Sequence, residues 1–263
     1  MLLVKSCERK HNIKNGTIKV GTLYEYREIE DDDLIDSGEG MLTFTLNFHG
    51  KITISKRWFD LFDSGFIQLD DEPVVQFPGR TKASFERLEI VNISSHGMDL
   101  LESSAILARE SLNSFVFCMS RVKREVDAIE VFPKYDDCWA IQETKSKEFA
   151  AKLARMIGRY IVQQHSLGNY ILPAETDCSK LGIQFIGRRV EYLSREIDLY
   201  DRGLVVLEDF ESKLENMAFI KPESYSKECE YRFNFVAIVN GEIVEPIVKS
   251  VFLVSTPLLG LVL

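Results

Sequence analysis

Three clusters in this chain have the residue types and spacing that chemistry uses. The latest runs Lys221-Pro-Glu-Ser-Tyr225-Ser-Lys-Glu228-Cys-Glu230-Tyr-Arg232-Phe-Asn-Phe235. As an extended strand, period two puts Glu228, Glu230 and Arg232 on one face and Cys229, Tyr231, Phe233 and Phe235 on the other. Two carboxylates beside a guanidinium can stabilise a developing oxocarbenium cation or orient a nucleophile. The same face also fits a solvent-facing ladder of charges. The earliest cluster is Gly21-Thr-Leu-Tyr-Glu-Tyr-Arg27, followed by Glu30, Asp36, Glu39 and Gly40. On a strand, Tyr24 and Tyr26 share a face, and Arg27 at its end could grip a phosphate through a bidentate fork. The loop carboxylates would order the loop or bind a sugar hydroxyl. The alternative is a core aromatic strand whose Arg27 pairs with its own acidic loop. Between these lies Phe117-Cys118-Met119-Ser120, an apolar strand ending either at the mouth of a cleft or at a turn.

Other chemistries find less support. His11, His49, His96 and His165 show no H-E-x-x-H or i,i+4 pairing. Asp137, Glu143 and Lys145 match the acidic-acidic-lysine set of metal-dependent nucleases, although Glu143-Thr-Lys145 also reads as the loop into a helix. Glu30 to Asp33 could ligate a divalent ion, but such runs are usually solvated loops.

The elements that must position these residues follow from periodicity. Met1–Lys5 and Thr17–Tyr26 are apolar stretches separated by an Asn15-Gly16 turn. Leu42, Phe44, Leu46 and Phe48 alternate with polar residues, and His49-Gly50 then predicts a hairpin returning through 51–55. Segment 56–82 is loop-rich and reads as an inserted lobe. Glu86–Ile93 predicts a half-buried strand, Met98–Asn113 a helix from Leu101, Ala105 and Ala108, and Phe115–Met119 a buried strand. Cys138–Ile141 is a short apolar run. Lys147 to Gln164 carries a helical stripe of Phe149, Leu153, Met156, Ile157, Tyr160 and Ile161. Ile183–Leu193 and Glu230–Val239 read as strands, the second turning at Asn240-Gly241 into Glu242–Val248. Strands at both ends and helices between them predict a single α+β domain over 1–263, with mixed, mostly antiparallel sheets. No G-x-G-x-x-G follows a strand, which disfavours a Rossmann fold.

Composition sets the outer bounds. The 263 residues are 45% hydrophobic and 11% aromatic, which excludes disorder as the main state. The net charge of −9 argues against sequence-blind binding of nucleic acid. Cys7, Cys118, Cys138, Cys178 and Cys229 are scattered without a C-x-x-C pair, and the N-terminus has no signal-peptide run; both predict a reducing cytoplasm. The uncharged tail VFLVSTPLLGLVL (251–263) is too short to span a bilayer. It reads as a buried closing strand, or else as a docking strand that a partner protein or chaperone covers.

Four of these pieces, at Thr22–Arg27, Asp36–Gly40, Phe117–Ser120 and Lys221–Arg232, resemble motifs shared by a broad group of uncharacterised bacterial and phage-associated proteins. Their order is also similar to that of the ADP-ribosyltransferase superfamily, with its first-strand Arg or His, second-strand Ser or Tyr, and late-strand Glu, often as Glu-x-Glu. Cys-Met-Ser stands here in place of that family's Ser-Thr-Ser. The resemblance implies an ADP-ribosyltransferase-like core and NAD as substrate, with no metal. It implies Glu230 as catalytic glutamate, Glu228 as its partner on the acceptor side, and Ser120 beneath the nicotinamide ribose. Arg27, or alternatively Lys5, would be the first anchor, with Tyr24, Tyr26 and Arg232 also on the cofactor side. A toxin or antiphage effector modifying RNA, DNA or protein is the implied use. The residues leave two other classes open: a metal-dependent nuclease and a non-enzymatic partner-binding protein.

Overall fold

Stretches of alternating apolar and polar residues recur along the sequence, and among the described residues antiparallel strand is the commonest element. The computed structural model describes residues 1–28, 38–55, 66–67, 75–76, 79–94, 97–193, 213–214 and 216–263. In chain order its strands are β1 (Leu2–Cys7), β2 (Thr17–Thr22), β3 (Met41–Ser55), β4 (Phe66–Ile67), β5 (Val75–Gln76), β6 (Arg80–Arg87), β7 (Ile90–Ser94) and β8 (Gly97–Glu110). They continue with β9 (Phe115–Val122), β10 (Asp137–Gln142), β11 (Leu181–Arg189), β12 (Glu191–Tyr192), β13 (Ile220–Lys221), β14 (Glu230–Val239), β15 (Glu242–Val244) and β16 (Ser250–Val254). The α-helices are α1 (Leu23–Arg27), α2 (Glu125–Val131) and α3 (Ser146–Ser166). The two larger sheets pair antiparallel throughout, so the class is α+β. Among the described residues no helix is long and apolar enough to cross a membrane.

The chain divides into two compact units. The first comprises 1–39, 113–192 and 223–263. Its eight-stranded sheet runs β10-β1-β9-β14-β11, with β2 joined to β9, β16 to β2 and β15 to β14. Period two decides which side chains meet which helix. Phe117, Phe233 and Phe235 project to one face and are buried against Phe149, Leu153, Ile157 and Ile161, the apolar stripe of α3. The Phe149 ring sits 5.6 Å from Phe117 and 5.4 Å from Phe233. Burying side chains of this size stabilises by about 1.5–3 kcal/mol each. On the opposite face Val4, Val122 and Ala140 pack with Ala128 of α2. The late strand β14 lies between β9 and β11, a central position that follows from its alternating aromatics.

The apolar tail belongs to this unit's core. Val251, Leu253, Leu258 and Leu261 are buried, Val262 bridges to Ile141, and the Leu263 N–H donates to the Ala140 carbonyl at 3.0 Å.

The second unit comprises 40–112 and 193–222. Segment 56–82 falls within it, and of that segment only 66–67, 75–76 and 79–82 are among the described residues. Three expectations fail here. The 42–55 stretch is not a hairpin but one 15-residue strand, β3. Its partner is β8, which occupies most of the predicted Met98–Asn113 helix. The cause is a β-bulge: the register shifts between Phe48 and Lys51, Glu102 takes φ 43°, and its carboxylate accepts the Gly50 N–H at 2.8 Å. Burial then moves from even positions (Met98, Leu100) to odd ones (Ser103, Ala105, Arg109), and that switch imitates helical spacing. The predicted half-buried strand Glu86–Ile93 is instead exposed, and it is two strands, β6 and β7, interrupted at 88–89.

Candidate functional site

In the first unit, the sheet face opposite α3 carries polar side chains where a core would ordinarily be apolar. Along β9 these are Cys118 and Ser120; along β14 they are Glu230, Arg232 and Asn234. The register joins them, since Glu230 is opposite Ser120 and Arg232 opposite Cys118. Arg232 is 1% exposed and Glu230 5%. The exposed ladder of charges is therefore excluded.

Glu230 opens β14 and is held through backbone and side chain. Its N–H donates to the Tyr192 hydroxyl at 2.7 Å and its carbonyl accepts the Val190 N–H at 3.0 Å. Its Oε1 accepts from Arg232 Nε at 2.7 Å. The rest of the Arg232 fork is taken by Glu39, with Nη1 donating to Oε1 and Nη2 to Oε2, the latter at 3.1 Å. Glu39 is itself 1% exposed. Burial alone would lower the Arg232 pKa, but the Glu230 and Glu39 carboxylates more than offset it, so the guanidinium stays charged. A buried carboxylate–guanidinium–carboxylate triad results, and Arg232 is engaged by the protein's own acids rather than turned toward an open cofactor site.

Glu228 is not on this face. It ends a 3-10 stretch, Glu223–Glu228, and Cys229 then takes φ 47°, which breaks the strand period between the two glutamates. The sequence missed this because Glu-Cys-Glu alternates correctly, while the Cys229 N–H turns back to the Ser226 carbonyl at 3.2 Å.

Tyr24, Tyr26 and Arg27 also sit differently from the strand expectation. Leu23–Arg27 is helical because Thr22 caps it, its hydroxyl accepting the Glu25 N–H at 3.2 Å. Thr22-Leu-Tyr-Glu25 has the T-x-x-E spacing of a helix start, a signal present in the sequence. Tyr24 and Tyr26 therefore diverge. Tyr24 stacks with Arg27, whose guanidinium carbon is 4.2 Å from the ring centroid. Burial, then the charges of Cys118 and Glu230, push the Tyr26 phenol up. Gly21 leaves room for the ring: a Cβ there would stand 3.2 Å from it and collide with the Glu25 carboxylate. Arg27 Nε donates to the Glu39 backbone carbonyl at 2.5 Å, so Glu39 links Arg27 to Arg232. Glu30 and Asp36 lie outside the described residues, as does the Glu30 to Asp33 run.

Cys118 lies within the Phe117–Ser120 cluster, where the sequence assigns it no role of its own. Burial, then the Glu230 charge, push its thiol up to about 12. The buried Ser114 Oγ and Asn234 Oδ1 have no hydrogen-bond partner. Lys5 lies across the sheet from the triad, its ammonium 5.4 Å from the Phe117 ring centroid. Val4, not Lys5, registers with Ser120, so the alternative anchor is on the wrong face.

The nuclease set does not converge. Asp137 starts β10 and Glu143 follows its end, about 20 Å away for a strand of that length. Asp137 accepts from Asn12 at 3.0 Å, Glu143 pairs with Arg121 at 2.6 Å, and Lys145 pairs with Glu148 at 3.3 Å. Among the described residues no three His, Cys, Asp or Glu side chains gather as a metal site. Comparison of the chain with protein-family models, with curated proteins and with solved structures finds no match.

Proposed function

We propose that the polar face of the first unit is the active site of an NAD-dependent ADP-ribosyltransferase with an ADP-ribosyltransferase-like core, serving as a toxin or antiphage effector in the cytoplasm. The observation that carries this reading is the direct register of Ser120 with Glu230 on adjacent central strands, with α1 and its Tyr26 and Arg27 beside them. In this reading Glu230 accepts a hydrogen bond from the nicotinamide-ribose 2′-hydroxyl. Its charge then stabilises the oxocarbenium that forms as the C1′–N bond breaks and nicotinamide leaves with the bonding electrons. A macromolecular nucleophile, in RNA, DNA or protein, attacks C1′ and loses its proton. Arg27, stacked on Tyr24, supplies positive charge for the pyrophosphate. Glu228, two residues before the strand, is left to the acceptor side. The test is incubation with labelled NAD and cell extract, followed by separate nuclease and protease digestion. Label that one digestion releases supports transfer and names the acceptor class; a folded protein that moves no label overturns it.

A second reading has its own observation, the near-complete burial of Glu230 and Arg232. In it the triad is a structural clamp and the chain a non-enzymatic binding protein, for a partner such as an antitoxin or chaperone. It predicts no turnover of NAD, with loss of folding rather than of activity when the triad is broken.

A further inference from the structure

We propose that Glu39 is a positioning residue for Glu230, acting through the Arg232 guanidinium. The kinetic part of this inference rests on the transferase reading above; the electrostatic part does not. Glu39 is 193 positions from Arg232 in sequence, yet both oxygens of its carboxylate meet the Nη1–Nη2 edge of that side chain. Arg232 Nε holds Glu230 Oε1 at 2.7 Å. A guanidinium is planar and rigid, so fixing one edge fixes the direction of the other. Glu39 is in turn anchored by its backbone carbonyl, which accepts from Arg27. The chain of contacts from Arg27 through Glu39 and Arg232 to Glu230 thus lies within one unit and sets where the Glu230 carboxylate points.

The same geometry shares one positive charge between two acids. Around Glu230 stand Arg232 on its own strand, Cys118 on β9, Tyr26 on α1, the Tyr192 hydroxyl at its N–H, and Arg188 opposite Arg232 on β11. Lys5 acts on Cys118 from across the sheet. Among these neighbours Glu39 alone adds a carboxylate bound to the same guanidinium. Removing its charge leaves Glu230 with undivided Arg232, which favours the ionised form.

The experiment is the pH profile of NAD-dependent labelling for wild type, Glu39→Gln and Glu39→Asp. The expected result is an acid limb displaced downward by about one pH unit in Glu39→Gln. Glu39→Asp keeps the wild-type limb, with a lower rate from its shorter reach. A residue with only a structural role lowers the yield of folded protein and leaves the limb in place, and coincident limbs overturn the proposal. Carbon-13 titration of the Glu39 and Glu230 carboxyls in the unaltered protein needs no turnover and no folded variant. Coupled titration of the two supports the proposal, and independent titration overturns it. Absence of labelling with coupled titration would sink the transferase reading while leaving the electrostatic link intact.

Discussion

Cys118 gives the residue scale its cleanest test. Its thiol is pushed up to about 12, and that of Cys7 up to about 11, from an ordinary 9.0. Both remain protonated in the folded chain while the unfolded chain ionises them. Stability is therefore full below pH 9 and falls as pH rises toward 11 for Cys7 and 12 for Cys118. Thermal melts should show this decline, and Cys118→Ser should flatten its upper part; an unchanged slope would contradict the placement of the thiol beside Glu230. Arg232→Met leaves Glu39 and Glu230 as adjacent buried carboxylates without their cation. Loss of about 3–5 kcal/mol is expected in a denaturant titration, the usual result of breaking a buried pair. Much of this site was legible at the level of residue type: Arg27, Ser120, Glu230 and Arg232 were all visible. The pairing of Arg232 with Glu39 was not, because that fork joins residues 193 positions apart. No local spacing encodes that pairing.

At the scale of elements, aromatic alternation made β14 readable and the 3.6-residue stripe did the same for α3. One failure came where Thr22 caps Leu23–Arg27 into a helix, and two more where a single residue with positive φ changed the period. Glu102 in β8 shifted the buried face and mimicked a helix, and Cys229 detached Glu228 from the strand that carries Glu230. Position 187 tests how tightly β11 and β14 are packed. A Cβ on Gly187 would stand 2.8 Å from the Phe233 ring, while the Tyr231 hydroxyl donates to the Gly187 carbonyl at 2.9 Å. Gly187→Ala should cost about 1–3 kcal/mol by overpacking, read from the midpoint of chemical unfolding. A neutral result would mean that the aromatic layer yields more easily than its close contacts suggest.

For the molecule as a whole, composition predicted a folded chain, and the described residues form sheets and helices around a buried apolar core. It did not predict that residues 40–112 and 193–222 would gather into a second unit, because that association is non-local. The proposed chemistry uses only side chains of the first unit and the leaving ability of nicotinamide. Labelling from NAD should therefore persist in excess EDTA, whereas abolition by chelator and recovery with a divalent ion would favour a metal-dependent activity.

The most direct measurement compares wild type with Glu230→Gln in NAD labelling, after circular dichroism has established that both are folded. Glutamine keeps the shape and can still meet Arg232, but it removes the charge assigned to the oxocarbenium. The account predicts a fall of about two to three orders of magnitude. A folded Glu230→Gln protein that labels its acceptor at the wild-type rate would contradict it.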